Sequence, residues 1–166
     1  MMLTLFSQPV LAAIDPSCGE SRSLSFYNIH TREHLETSYR VNGKLVRPAM
    51  QQINYILRDF RTGEIKPIDP NLLDLLYRIV IKVNPRSPIS IISGYRCPRT
   101  NAALRRVTTG VAKNSLHMKG RAIDIRIPGY RTADLRQLAI SFRRGGVGYY
   151  PASNFVHLDT GPVRTW

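Results

Sequence analysis

The sequence predicts an α+β fold in which a small antiparallel sheet has helices packed against it. Three observations predict it. Asn42-Gly43 sits between two strand-like runs, the strongest short-range hairpin signal. Two segments, 49–60 and 70–83, repeat apolar residues at spacings of three and four, as helices with one buried stripe do. The strands and helices do not recur as strand–helix–strand units, which argues against a doubly wound parallel sheet. At 166 residues the chain is long enough for one domain with a substantial core.

Each element has its own warrant. Leu24 to Ile29 alternates apolar and polar residues and reads as a strand. Glu36–Tyr39 and Lys44–Val46 flank the Asn-Gly turn. Pro48 opens a helix over Ala49–Phe60, with Met50, Ile53, Ile56, Leu57 and Phe60 on its stripe and Thr62-Gly63 ending it. Asp69 is an N-cap for the next helix, with Pro70 at its first position. That helix is broadly apolar and therefore central; Asn84-Pro85 closes it. Ile89–Ser93 reads as a core strand followed by Gly94-Tyr95-Arg96. A short helix from about Thr100 to Arg106 and a loop to Ser115 come next. Arg121–Ile127 is a strand ended by Pro128-Gly129, and Thr132–Phe142 a helix. Gly145-Gly146-Val147-Gly148 is expected as a tight turn into Tyr149-Tyr150, and the last strand covers Phe155–Thr160.

The chemistry concentrates in two segments. His117 lies before a Gly-containing turn, and Asp124 follows it by seven positions inside the apolar strand Ala122–Ile127. A carboxylate in such a strand needs a partner, because an unpaired buried charge is costly. His157 lies in a second strand-like run, Asn154–Thr160. Two imidazoles and one carboxylate form the ligand set with which Zn²⁺ is held at catalytic sites that keep one position open. Asp124 has an alternative partner in Arg96 or Arg121, as a buried ion pair. His30 and His34 lie outside these segments and read as ordinary polar residues near the hairpin.

Lys and Arg total 24 against 11 for Asp and Glu, a net charge of +13. Such a surface attracts polyanions: nucleic acid, anionic cell-wall polymers or membrane headgroups. The basic residues are dispersed, and no zinc-finger, leucine-zipper or ribonucleoprotein-type motif accompanies them, so nucleic acid is not the expected partner. Residues 1–13 are apolar and end in Ala12-Ala13, like the back half of an export signal. They lack its basic leading region, so either the start lies upstream or the stretch is a short apolar tail. Residues 1–23 are thus expected to be an export-signal remnant and linker, and 24–166 the functional domain. No other stretch approaches the roughly 20 apolar residues of a membrane span. The two cysteines, Cys18 and Cys97, are not expected to pair.

The stretches Ile92-Ser93-Gly94-Tyr95-Arg96, Ser115-Leu116-His117 through Asp124, and Val156-His157-Leu158-Asp159-Thr160-Gly161 carry a family resemblance. They resemble the zinc peptidases of the M15 group, the D-Ala-D-Ala carboxypeptidases and murein endopeptidases. They are most similar to exported bacterial proteins once grouped only as a domain of unknown function, which include a murein endopeptidase. The resemblance runs from about Leu24 to Trp166, and the Ser-x-His with its Asp seven residues later is its specific part. It implies a hedgehog/D-Ala-D-Ala peptidase-like fold and a metal site of His117, Asp124 and His157 holding Zn²⁺. It also implies a location in the periplasm or cell envelope.

By the same resemblance Arg96 faces the substrate, where a fixed guanidinium binds a developing oxyanion; its alternative is a loop-bracing salt bridge. Ser115 matches a serine that binds substrate, or else it caps the loop. Tyr95, Tyr149 and Tyr150 are candidates for the cleft lining. The family's upstream acid–base position falls here on Asn154 and Phe155, neither of which takes a proton. Asp159 shares a strand face with His157 and is expected as the base, or as a carboxylate that orients an imidazole. Glu36 is the fallback. The implied activity is hydrolysis of cross-links in peptidoglycan stem peptides by a monomeric enzyme. The alternatives are a D-alanyl-D-alanine carboxypeptidase and a non-catalytic wall-binding module of the same fold.

Overall fold

A computed structural model describes residues 20–108 and 110–166. The expectations for residues 1–19, the export signal and Cys18 among them, lie outside the described residues. The elements are β1 (Ser21–Asn28), β2 (His34–Val41), β3 (Lys44–Leu45), α1 (Arg47–Ile56), α2 (Pro70–Val83), β4 (Ile89–Ser93) and α3 (Pro98–Val107). After a 3₁₀ turn at Leu116–Lys119 come β5 (Ala122–Arg126), α4 (Thr132–Ser141), β6 (Gly146–Tyr150), β7 (Phe155–Asp159) and β8 (Arg164–Thr165). The fold is α+β, as the sequence predicts.

The sheet is larger than expected, and it is mixed. Its eight strands run in the order β3-β2-β1-β4-β5-β7-β6-β8, with β1–β4 and β6–β8 parallel and the other neighbours antiparallel. β1 begins at Ser21, three residues before the expected strand start. Asn42 and Gly43 both have positive φ, +49° and +74°, as a two-residue hairpin turn requires. Leu72, Leu73, Leu75, Leu76 and Ile79 of α2 are all buried, so that helix is central. Asp69 caps it by accepting from Asn71 N at 2.9 Å. Ile123 and Ile125 of β5, Val147 of β6, and Val156 and Leu158 of β7 join the same core. The alternate residues of those strands therefore point to the opposite face of the sheet.

Two predicted elements differ, for local reasons. α1 stops at Ile56 rather than Phe60. The Leu57 carbonyl is taken by Tyr95 N at 2.7 Å, so a bond from the end of β4 replaces a helical one. Phe60 leaves the stripe and stacks on His30, with ring centroids 3.8 Å apart. The glycine-rich run expected as a turn is strand β6.

The turn after α1 is tied to the segment following Arg96. The buried Asp59 carboxylate accepts from Cys97 N at 2.9 Å and Arg61 N at 3.0 Å. Burial opposes its ionisation, but hydrogen bonds from Thr100, Cys97 and Arg61 outweigh burial and hold its pKa below the usual carboxylate range. With the folded pKa depressed, its stabilisation is complete above the unfolded value of ~3.9 and disappears as pH falls through the folded value. Asp59→Ala leaves two backbone donors without their acceptor. Urea denaturation at neutral pH should show a loss of about 2–4 kcal/mol, becoming smaller as acid protonates the wild-type carboxyl.

Candidate metal centre

The site is built on the sheet face away from the helices. Asp124 on β5 is the direct cross-strand neighbour of His157 on β7, so strand register alone places the two side by side. His117 comes from the 3₁₀ turn before β5. Ser115 starts that turn, accepting from His117 N at 3.3 Å, and Gly120 at φ +65° ends it. A register shift between Ile91 and Ser93 puts Ser93 opposite Asp124. Such irregularities re-aim side chains beside active sites.

Three acceptor atoms converge there. Asp124 Oδ1 lies 2.8 Å from His157 Nδ1 and 3.2 Å from His117 Nε2, and the two imidazole nitrogens are 3.2 Å apart. Tetrahedral ligands about 2.0–2.1 Å from a zinc ion are roughly 3.3 Å from one another. Each ring's second nitrogen is committed elsewhere. His117 Nδ1 donates to Gly94 O at 2.7 Å, and His157 Nε2 to Asp159 Oδ2 at 3.1 Å. These bonds fix the tautomers and aim the lone pairs of Nε2 of His117 and Nδ1 of His157 at the Asp124 carboxylate. Three lone-pair donors facing one another repel unless a cation sits among them. His117, Asp124 and His157 thus fit a metal ion, and among the described residues they are the only such group.

The titration behaviour follows. Burial opposes ionisation of Asp124, but His117 and His157 outweigh it and hold the carboxyl well below the usual range. Burial pushes the His117 pKa down. Burial also acts against a charged His157, yet the carboxylates of Asp124 and Asp159 outweigh it and raise its pKa to about 9. In the absence of metal, the shared cation is a proton on His157.

The structure places the remaining predicted residues as follows. Arg96 is buried, and its Nη2 donates to Asp124 Oδ2 at 3.4 Å and Ser93 Oγ at 3.3 Å. Its Nε has no partner among the described residues. The ion pair offered as an alternative to metal binding is therefore present, but on the carboxylate oxygen that the imidazoles do not use. Ser115 caps the turn and also lines the cleft.

Of the two roles expected of Asp159, its contacts are those of a carboxylate that orients an imidazole. It is fully buried on the other ring nitrogen of His157. Its oxygens accept from Gly146 N, Gly161 N and the Arg164 guanidinium at 2.6–3.1 Å. Burial opposes its ionisation, but these donors and His157 outweigh it and keep the carboxyl well below the usual range. Glu36 lies on β2, three strands from β5, and lines a different cavity.

Tyr149 also corrects the expectation. Strand alternation turns it toward the helices, where it packs against the core with Arg136 over its ring, and gives Tyr150 to the cleft. Sequence reading missed Arg164 and Trp166 of the closing segment, which line the cleft of about 350 Å³ with Tyr150 and Phe155. The signal available was the aromatic and basic pair in Arg164-Thr165-Trp166 beside the His157 strand.

Comparison with known proteins gives the family. The family described as peptidoglycan L,D-endopeptidase MepK matches residues 16–166. This chain belongs to that family of M15-type murein peptidases. It is 43% identical over 158 residues to peptidoglycan L,D-endopeptidase MepK of Escherichia coli strain K12, covering 95% of this chain and 87% of the relative. The Shigella flexneri protein of the same name gives the same figures. A probable peptidoglycan L,D-endopeptidase MepK of Haemophilus influenzae is 45% identical over 166 residues, covering 99% and 88% of the two chains. No solved structure matches the chain significantly.

Two predictions follow from the ligand geometry. At Gly94 an added Cβ would lie 2.4 Å from the Leu57 backbone carbonyl. Gly94→Ala must therefore shift the carbonyl that orients His117. Chelator competition should show zinc affinity reduced about 10–100-fold, as loss of an outer-shell partner does. A metal ion must also displace the proton on His157. Calorimetry at pH 7 in buffers of different ionisation enthalpy should detect release of about one proton per zinc, with apparent affinity rising as pH approaches 9.

Proposed function

We propose that the chain is a zinc-dependent endopeptidase that cuts peptide cross-links in peptidoglycan, with His117, Asp124 and His157 as its metal ligands. The observation carrying this reading is the convergence of two tautomer-fixed imidazoles and a carboxylate at the base of an open cleft, in a chain of an endopeptidase family. Membership of that family makes the chain a hydrolase of murein. Zinc bound there would supply Lewis-acid activation of the scissile carbonyl and the attacking water. A closed structural site would more often use four protein ligands.

The protein's own groups divide the remaining work. Arg96 holds its guanidinium beside Asp124 with an unpartnered Nε, and it stabilises the oxyanion that develops on the attacked carbonyl. Asp159, clamped by Arg164 and two backbone amides, keeps His157 in the tautomer that presents Nδ1. It acts through His157 rather than on substrate. Ser115 places His117 and borders the substrate. Among the described residues, no carboxylate other than Asp124 and Asp159 lines the cleft.

The fold is read in finer detail as hedgehog/D-Ala-D-Ala peptidase-like. Export to the periplasm or cell envelope fits both a murein substrate and the apolar run at residues 1–13, and no described helix is long and apolar enough to cross a membrane. The net charge of +13 supports electrostatic retention on an anionic wall polymer, weakened by salt.

Purified murein with and without chelator tests the reading. Release of cross-linked fragments should stop with chelator and return with zinc. Release of terminal D-Ala alone would favour a carboxypeptidase, and binding without any product would favour a wall-binding module. Asp159→Asn should lower zinc affinity about 10–100-fold. At saturating zinc it should keep most of its turnover. A variant with wild-type metal affinity and a kcat reduced by ~10²-fold or more would make Asp159 the general base after all.

A further inference from the structure

We infer that the closing segment Arg164–Trp166 forms one wall of the substrate cleft, with the Trp166 indole contacting the methyl and methylene groups of the bound stem peptide next to the metal centre. The inference rests on the peptidase reading above but assigns a contact that the metal chemistry does not require.

Trp166 is the single tryptophan of the chain, and it lies beside a metal ligand. Its ring centroid is 5.2 Å from that of His157, tilted by 47°. It borders the same cleft as Arg96, Ser115 and the three ligands. It is 46% exposed, an unusual cost for so large an apolar ring unless something covers it.

The ring is also held in place. β8 pairs in parallel with β6, and the Trp166 backbone closes bonds with Val147 O at 3.2 Å and Tyr149 N at 3.0 Å. The indole Nε1 donates to Tyr150 Oη at 2.9 Å. The Arg164 guanidinium lies 5.0 Å from the ring centroid while its other contacts clamp Asp159. Gly148, the cross-strand neighbour of His157, supplies the seat: a Cβ there would come within 2.6 Å of the indole. The glycine that weakens β6 as a strand is therefore what lets the ring approach the sheet closely beside His157.

A rigid, hydrogen-bonded aromatic with an open surface is the kind of group that positions a ligand at low entropic cost. Peptide stems are short chains of small and linear side chains. Their alkyl groups suit an indole surface, and their backbone can lie between Trp166 and the Arg96 side of the cleft.

The test compares wild type with Trp166→Phe and Trp166→Ala. Dissociation constants for a cross-linked muropeptide dimer are measured calorimetrically on metal-free protein. KM and kcat are then measured on the zinc-loaded protein, with zinc content and thermal midpoint recorded for each. Trp166→Ala should raise Kd and KM about tenfold, change kcat less and keep its zinc. Trp166→Phe keeps a ring but loses the bond to Tyr150, so it should fall between. Equal Kd and KM in all three proteins would overturn the inference, as would a loss of zinc and fold in both variants that tracks the loss of activity. A wild type that binds the dimer but does not cut it would refute the enzymatic reading alone; the wall would still be supported by weaker binding of Trp166→Ala. A wild type that does not bind the dimer at all would refute the wall.

Discussion

Everything at the centre of this protein depends on three electron-pair donors brought within about 3 Å of one another. Nε2 of His117, Nδ1 of His157 and the Asp124 carboxylate share one small volume, and with both rings neutral no ring hydrogen is left to separate them. The Gly94 carbonyl and the Asp159 carboxylate have claimed those hydrogens. Such an arrangement is stable only around a cation. A proton suffices when nothing else is available, and a divalent metal fits the spacing. The surrounding fold holds this otherwise repulsive cluster together.

The support comes from both sides of the sheet. On the helical side, Ile123, Ile125, Val156 and Leu158 bury β5 and β7 against the core, so Asp124 and His157 cannot slip in register without exposing those side chains. On the site side, Asp159 is held by Arg164 and by the amides of Gly146 and Gly161. Arg164 also reaches Trp166, so the closing segment links the ligand sphere to the cleft wall. The approach of β4 to the end of α1, where Tyr95 takes the Leu57 carbonyl, brings Gly94 to His117 and Arg96 to Asp124. One contact in the core thereby sets both an imidazole tautomer and the direction of the arginine.

The parts of the fold legible in the sequence are those fixed by local chemistry. Asn42-Gly43 makes its turn because both residues accept positive φ. Asp69 and Pro70 begin α2 through a cap and a preset backbone angle. His117, Asp124 and His157 were legible as a set because a carboxylate in an apolar strand demands a partner. The misread elements depend on distant groups. α1 is shortened by a bond from β4. β6 is a strand because its glycines are opposed by Asp159, Arg164 and Trp166 rather than by solvent. The expectation of Tyr149 beside Tyr150 in the cleft followed from the same misreading, since a turn has no alternation to separate the two.

By itself, the sequence determined which chemical groups this protein has and which local conformations its turns and caps adopt. Those follow from side-chain chemistry and backbone sterics over a few residues. Only the tertiary structure decided what each group does. Asp159 is bonded to His157 and held by five donors in a buried site. Arg164 and Trp166 became part of the cleft because β8 pairs with β6 at the sheet edge. Hydrogen-bond partners and burial depend on residues far apart in the chain, and they set whether a carboxylate gives up its charge, orients a ring or meets the substrate.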